Sequence, residues 1–211
     1  MRHVRHILRF SPNAKILLRC LLNTRRAACS VAAMASLIFG PLMLFAQQQK
    51  PTEYQVKATY LYNFGRFVKW PGSTPTGKAD SFSVCVLGRD PFGSILDSTL
   101  AGEALDGKPV VLRRISKPQD GVDCRILFIS SAEEKHLKGI LTALDESGVL
   151  TVSDMPDFTR RGGMIQFVLE GDRVRFEINL TSAESARLVL SSELLKVAAS
   201  VKRSGRSGDR S

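Results

Sequence analysis

The chain has 211 residues, 44% of them hydrophobic, which is enough for one folded domain and too much for a disordered chain. Its formal charge of +10 is concentrated at the ends: residues 1–46 hold seven bases and no acid, and Lys202, Arg203, Arg206 and Arg210 face only Asp209 after Val201. The body between is neutral and its aromatics are not interleaved with bases, which argues against nucleic-acid binding.

Basic residues as far as Arg25-Arg26 precede an uncharged run from Ala27 to Gln49. This order is that of a secretory signal with Ala46 as the last residue removed, and Gly40-Pro41 disfavours one continuous spanning helix. An uncleaved anchor is the alternative, since about 20 apolar residues span a bilayer. The expected division is a signal peptide over 1–46, an α/β domain over 47–201 and a disordered tail over 202–211.

From Glu53 the spacing of Val56, Tyr60, Leu61, Phe64, Phe67 and Val68 predicts an amphipathic helix to about Lys69, ended by Trp70-Pro71. A loop over 72–80 leads into a buried strand from Ser81 to Leu87. Asp90 as N-cap and Pro91 in the first turn predict a helix to about Leu100, and Asp106-Gly107 turns into a strand from Pro109 to Ile115. Cys124 to Ile129 reads as a third strand, Ser131 with Glu134 as the capping box of a helix to about Leu144, and Val149 to Val152 as a fourth strand. Met164 to Leu169 and Val174 to Leu180 alternate around Gly171-Asp172 as a β-hairpin. Two helices are expected after it, one capped by Thr181 and running to Leu190, the other from Ser192 to Val201. The fold class that follows is α/β: a single-domain three-layer sandwich with a mostly parallel mixed sheet and an antiparallel hairpin at one edge.

Catalytic patterns fail at the residues that matter. Between Gly88 and Gly93 the spacing is that of a phosphate loop, but Ser94 stands where a Walker loop needs lysine, and Asp90 occupies the third position of the dinucleotide fingerprint. Only His136 remains beyond the leader, with no acid placed to form a triad and no metal-ligand set around it. No enzyme activity, cofactor or metal is expected. Ligand binding is the reading for the strand-end crevice near Gly88, Asp90, Ser130, Ser131, Ser153 and Asp154. Against it, Asp154 and Asp157 also suit turns beside Pro156, and that reading weighs more. Arg160 and Arg161 form a basic loop that suits an acidic partner and equally a solvated connection. On the hairpin, Arg175, Glu177 and Asn179 share the face opposite Val174, Phe176 and Ile178, and are a second partner-binding surface, set against the bland reading of a solvated face. Apolar residues left exposed by the first helix are a third. Cys85 and Cys124 lie in predicted strands; a reducing compartment would leave them as buried thiols, whereas export favours a disulfide.

Several blocks together resemble the YfiR-like family. They are Tyr54-Gln55-Val56-Lys57-Ala58, Tyr62-Asn63-Phe64, Phe67-Val68-Lys69-Trp70-Pro71, Val86-Leu87-Gly88, Asp90-Pro91-Phe92-Gly93, Leu127-Phe128-Ile129-Ser130, Leu150-Thr151-Val152-Ser153-Asp154, the run from Gly162 to Val168, and the run from Val174 to Asn179. The resemblance implies a periplasmic protein with an α/β sandwich core that represses a membrane-bound diguanylate cyclase by binding its periplasmic sensor region. Cyclic-di-GMP would then fall and biofilm formation be restrained. It also implies release by redox stress or by an outer-membrane lipoprotein, and a Cys85–Cys124 pair. A later cysteine pair found in some relatives is absent here. A homodimer, and a small-ligand-sensing role instead of repression, both stay open.

Overall fold

The computed structural model describes residues 50–70 and 81–203. The expected signal peptide, the loop over 72–80 and residues 204–211 of the expected tail lie outside them. The elements run α1 (Glu53–Phe67), β1 (Val68–Lys69), β2 (Phe82–Leu87), α2 (Ser94–Leu100), β3 (Ala104–Leu105), β4 (Lys108–Ile115), β5 (Ile126–Ile129), α3 (Leu137–Ala143), β6 (Leu150–Ser153), β7 (Ile165–Glu170), β8 (Arg173–Asn179), α4 (Leu180–Ser185), β9 (Val189–Leu190), α5 (Ser192–Val197) and β10 (Ser200–Lys202).

Eight strands form one sheet in the order β10-β8-β7-β6-β5-β2-β4-β3, and β1 pairs with β9 as a separate ribbon. Pairing is parallel from β4 through β2, β5 and β6 to β7. It turns antiparallel at the β7–β8 hairpin, where Glu170 faces Arg173 across Gly171-Asp172. The sheet is thus mostly parallel and mixed, as its sequence implied. Three residues of β10 extend the hairpin side by one further parallel strand.

Parallel strands must be covered on both faces, because their crossovers carry helices. Accordingly β5 and β6 are buried along their whole length. On one face Val84, Val86, Ile126, Phe128, Val152, Ile165 and Phe176 pack with α1, α2 and the C-terminal helices. On the other, Cys85, Leu87, Leu127 and Ile129 pack with Leu137 and Ile140 of α3 and with Phe158.

Local signals were overridden where the tertiary frame offered the backbone better partners. The α1 surface that becomes buried is Lys57, Ala58, Leu61, Phe64 and Gly65, while Val56 and Tyr60 are half-buried and Phe67 is exposed. Its last two expected residues, Val68 and Lys69, pair with β9 instead. Asp90 does not cap a helix starting at Pro91: its Oδ1 accepts from Phe92 N at 2.7 Å in a turn, and α2 begins at Ser94. The expected helix after β5 opens as a 3₁₀ turn over Ser131–His136, capped by Ser130 and not Ser131. Asn179, not Thr181, caps α4 through Ser182 N at 3.1 Å. The helix expected to reach Leu190 ends at Ser185, and a left-handed Arg187 (φ 60°) turns the chain into β9. The expected helix to Val201 stops at Val197, because Ala199 N donates to Phe176 O at 2.8 Å and draws the chain along β8 as a strand. Lys202, expected in a disordered tail, belongs to that strand.

Cys85 in β2 and Cys124 just before β5 are joined by a disulfide with a Cα–Cα distance of 6.0 Å. It lies within the α3-side core and closes a loop of 39 residues. Replacing both cysteines by serine is expected to remove about 4 kcal/mol of stability and lower the melting midpoint by about 10 °C. The check is thermal unfolding followed by circular dichroism, and an unchanged midpoint would show that the cross-link constrains nothing the core does not already hold.

Candidate functional site

The least ordinary group in the described residues is Lys57. It stands on the buried face of α1 at 3% exposure, in register with Leu61 and Phe64. Its Nζ donates to Asp154 Oδ2 at 2.8 Å, just beyond the end of β6, and pairs with Glu53 one turn back at 2.5 Å. The ammonium also lies over the Tyr54 ring, 4.7 Å from its centroid, and 5.9 Å from that of Phe167. Burial pulls the pKa of Lys57 down, but the hydrogen bonds to Asp154 and Glu53 outweigh it and leave the group above its ordinary value. Tyr54 donates to the same Asp154 oxygen at 3.4 Å. Its phenol is held above the ordinary range, first by burial and then by the charge of Asp154. The opposite edge of Tyr54 meets Phe92, which in turn packs on Phe128 at 4.8 Å. One continuous chain of contacts therefore runs from the start of α1 across the carboxyl ends of the strands.

The residues expected to line a strand-end crevice lie at and just beyond the carboxyl ends of β2, β5 and β6. Strand order reverses direction at β2, whose neighbours β4 and β5 follow it on opposite sides, so the switch point lies between Gly88 and Ser130. Gly88 has φ +84°, and an added Cβ would lie 2.7 Å from Glu133 Oε1. The Glu133 side chain therefore lies directly against Gly88. Ser130 accepts from Ala132 N at 3.3 Å, and Ser131 is exposed at the start of the 3₁₀ turn. Ser153 donates to Ile129 O at 2.7 Å and accepts from Met155 N at 3.1 Å. Asp90 holds Arg114 Nε at 2.7 Å, and Asp154 holds Lys57. Apart from exposed Ser131, the polar side chains expected to meet a ligand bind the chain itself.

The expected partner-binding residues are also engaged. Glu177 accepts from Lys202 Nζ at 3.1 Å and from Thr159 Oγ1 at 3.3 Å. Burial raises its pKa, yet the bond to Lys202 prevails and the carboxyl is held below its ordinary value. Asn179 donates to Thr159 O at 2.8 Å, and Arg175 to Val197 O at 3.3 Å. Arg161 holds Glu134, and Arg160 holds Asp157 on an exposed loop. The hairpin face is thus half-buried, with Glu177 and Asn179 bonded to Thr159 and Glu177 also to Lys202 of β10.

The described residues include two open grooves. One, of about 300 Å³, runs along the outer side of α1 between Pro51, Gln55, Val56, Thr59, Tyr60 and Asn63 and is mostly apolar. The other, of about 370 Å³, lies between α3 and α4, with Lys138, Glu146, Arg161 and Ser185 around an apolar floor. Of the apolar residues of the first helix, Phe67 is the large one left exposed, and sequence reasoning missed Lys57. The readable signal was a lysine at the helical spacing of Leu61 and Phe64, four residues after Glu53.

A family model described as YfiR/HmsC-like matches residues 54–199. Among solved structures, a conserved domain protein of Vibrio cholerae O1 biovar eltor is similar at 12% identity with a TM-score of 0.51, over 72% of this chain and 60% of that one. An ABC domain from Streptococcus pneumonia, solved with L-Trp, is similar at 10% identity with a TM-score of 0.46, over 69% and 60%. The chain spans about 60% of the length of each, and the first of them supports the fold alone.

Removing one member of the buried pair should cost more than removing both. Asp154→Asn is expected to destabilise by about 3 kcal/mol, and Lys57→Met combined with Asp154→Leu by clearly less. Because the pKa of Lys57 is raised on folding, its contribution should be constant at neutral pH and fade as pH rises past the ordinary lysine value, 10.5. Denaturant unfolding of the wild type, the single variant and the double variant at neutral and alkaline pH checks both points. A double variant as unstable as Asp154→Asn would contradict them.

Proposed function

Because this chain belongs to the YfiR/HmsC-like family, we propose that it is a periplasmic regulatory protein that represses a membrane-bound diguanylate cyclase by binding the cyclase's periplasmic sensor region. The observation that carries this reading is the family match, which spans α1 through α5 and so nearly all of the described fold. Export fits the sequence, in which a basic, then apolar, leader precedes the matched region. A disulfide between neighbouring strands also suits an oxidising compartment. Regulation in this reading is by contact and not by chemistry. An outer-membrane lipoprotein that competes for the same surface would relieve the repression.

The geometry supports α1 as the contact element. Its inner side is fixed by core packing and by the Lys57–Asp154 pair, so its outer groove is presented on a rigid support. A preformed apolar groove on one helix can take an amphipathic segment without first reorganising. At the strand ends Glu133 lies against Gly88, and Asp90, Ser153 and Asp154 bond to the chain itself.

Deleting the gene in its host is expected to raise cyclic-di-GMP, and re-expressing the exported form to restore it, as measured by nucleotide extraction. Thr59→Arg, an exposed change in the α1 groove, should fail to restore it while melting like the wild type. An unchanged nucleotide level on deletion would remove the cyclase from the reading. A fully active Thr59→Arg protein would move the contact away from α1.

A further inference from the structure

The β1–β9 ribbon stands outside the main sheet and is not accounted for by partner binding. Its two strands pair antiparallel with Val68 opposite Leu190 and Lys69 opposite Val189. Directly opposed residues share a face. Val68 and Leu190 are buried, and so Lys69 and Val189 point outward together, Val189 at 51% exposure. At one end of the ribbon Phe67, 38% exposed, accepts from Ser191 N at 2.8 Å. Arg66 and Arg187 flank the ribbon, both exposed, and Arg187 has a left-handed backbone at φ 60°. Residues 66–70 and 187–191 contain three cations and no acid. The nearest acids along the chain are Glu184, before Arg187, and Glu193, whose carboxylate accepts from the Ser192 hydroxyl.

We propose that this ribbon is a contact site for anionic phospholipid surfaces, with Val189 and Phe67 entering the headgroup region and Lys69, Arg66 and Arg187 meeting the phosphates. The proposal goes beyond the regulatory reading and does not depend on the identity of the partner.

Size and composition favour a lipid surface over a protein. A stable protein interface needs about 800 Å² from each side, with a hydrophobic centre and a polar rim. Two outward apolar side chains on a two-stranded ribbon cannot supply that area. A membrane contact needs far less, because long basic side chains lay their stems along the apolar zone and keep their charges at the phosphates. Each cation near an anionic surface strengthens partition by about fivefold. Three cations and two apolar side chains therefore give weak, reversible attachment of a kind that ionic strength controls.

The test is sedimentation of the protein, in the form its host makes, with vesicles of phosphatidylethanolamine and phosphatidylglycerol, compared with vesicles in which phosphatidylcholine replaces phosphatidylglycerol. Binding to the anionic vesicles only, weakened by added salt, is expected. Lys69→Gln combined with Arg187→Gln should reduce it by about 25-fold, and Val189→Asp should also release the protein. All three positions are exposed, and thermal melting controls for folding. No binding to anionic vesicles overturns the proposal. So does undiminished binding by the double variant, which would assign attachment to the basic C-terminal residues. If vesicles are ignored while the double variant loses repression in cells, the ribbon is a protein contact and the lipid assignment falls.

Discussion

The placement of α1 depends on a lysine that has no ordinary reason to be buried. Ala58, Leu61 and Phe64 would bind the sheet as any apolar helix face does, and such packing tolerates rotation and sliding. Lys57 removes that tolerance. A buried ammonium without a partner is costly, so the helix is acceptable only where Nζ reaches Asp154 at the end of β6 and Glu53 on its own first turn. Two hydrophobic residues of similar volume would stabilise the join as well or better. What the ion pair supplies is register, and the positions of Tyr54, Phe92 and Phe167 around it follow from that register.

The same pair explains why the carboxyl ends of the strands, the usual ligand site of an open α/β sheet, are occupied from within. Asp154 is turned toward α1, Asp90 toward Arg114, Ser153 toward the Ile129 carbonyl, and Glu133 lies across Gly88. Groups that could have bound a small molecule instead bind neighbouring elements to one another. The scaffold keeps the architecture of a ligand-binding sheet while its switch point has become structural. Among the described residues, the groove along the outer side of α1 is mostly apolar.

Much of this was legible in the residues. Strand periodicity and the Gly171-Asp172 hairpin identified the sheet and its mixed pairing, because each rests on local chemistry, whereas the Cys85–Cys124 link was expected from export and from the family blocks. The misplaced boundaries have two causes. At Asp90, Ser131 and Thr181 a neighbouring turn or cap displaced the expected one: Asp90 holds Phe92 N, Ser130 caps the 3₁₀ turn and Asn179 caps α4. At Val201 a distant backbone partner prevailed, as Ala199 N joined Phe176 O. On the hairpin, Arg175, Glu177 and Asn179 do share a face, but alternation cannot show that Lys202 of β10 and Thr159 bond to Glu177 there. Lys57 was visible only as a charged residue at a core spacing. Its partner lies 97 residues away, beyond any local pattern.

The two faces of the sheet are secured by different means, and the difference bears on function. On the α3 side a covalent link joins β2 to the approach of β5, and it is enclosed by Leu127, Leu137, Ile140 and Leu144. On the α1 side the bond is electrostatic, and it lies at the end of the helix nearest the chain's entry into the fold. Events that move α1 must part Lys57 from Asp154 and rehydrate both, whereas the disulfide keeps β2 and β5 together throughout. An α1 surface held in this way is rigid enough to present a preformed groove.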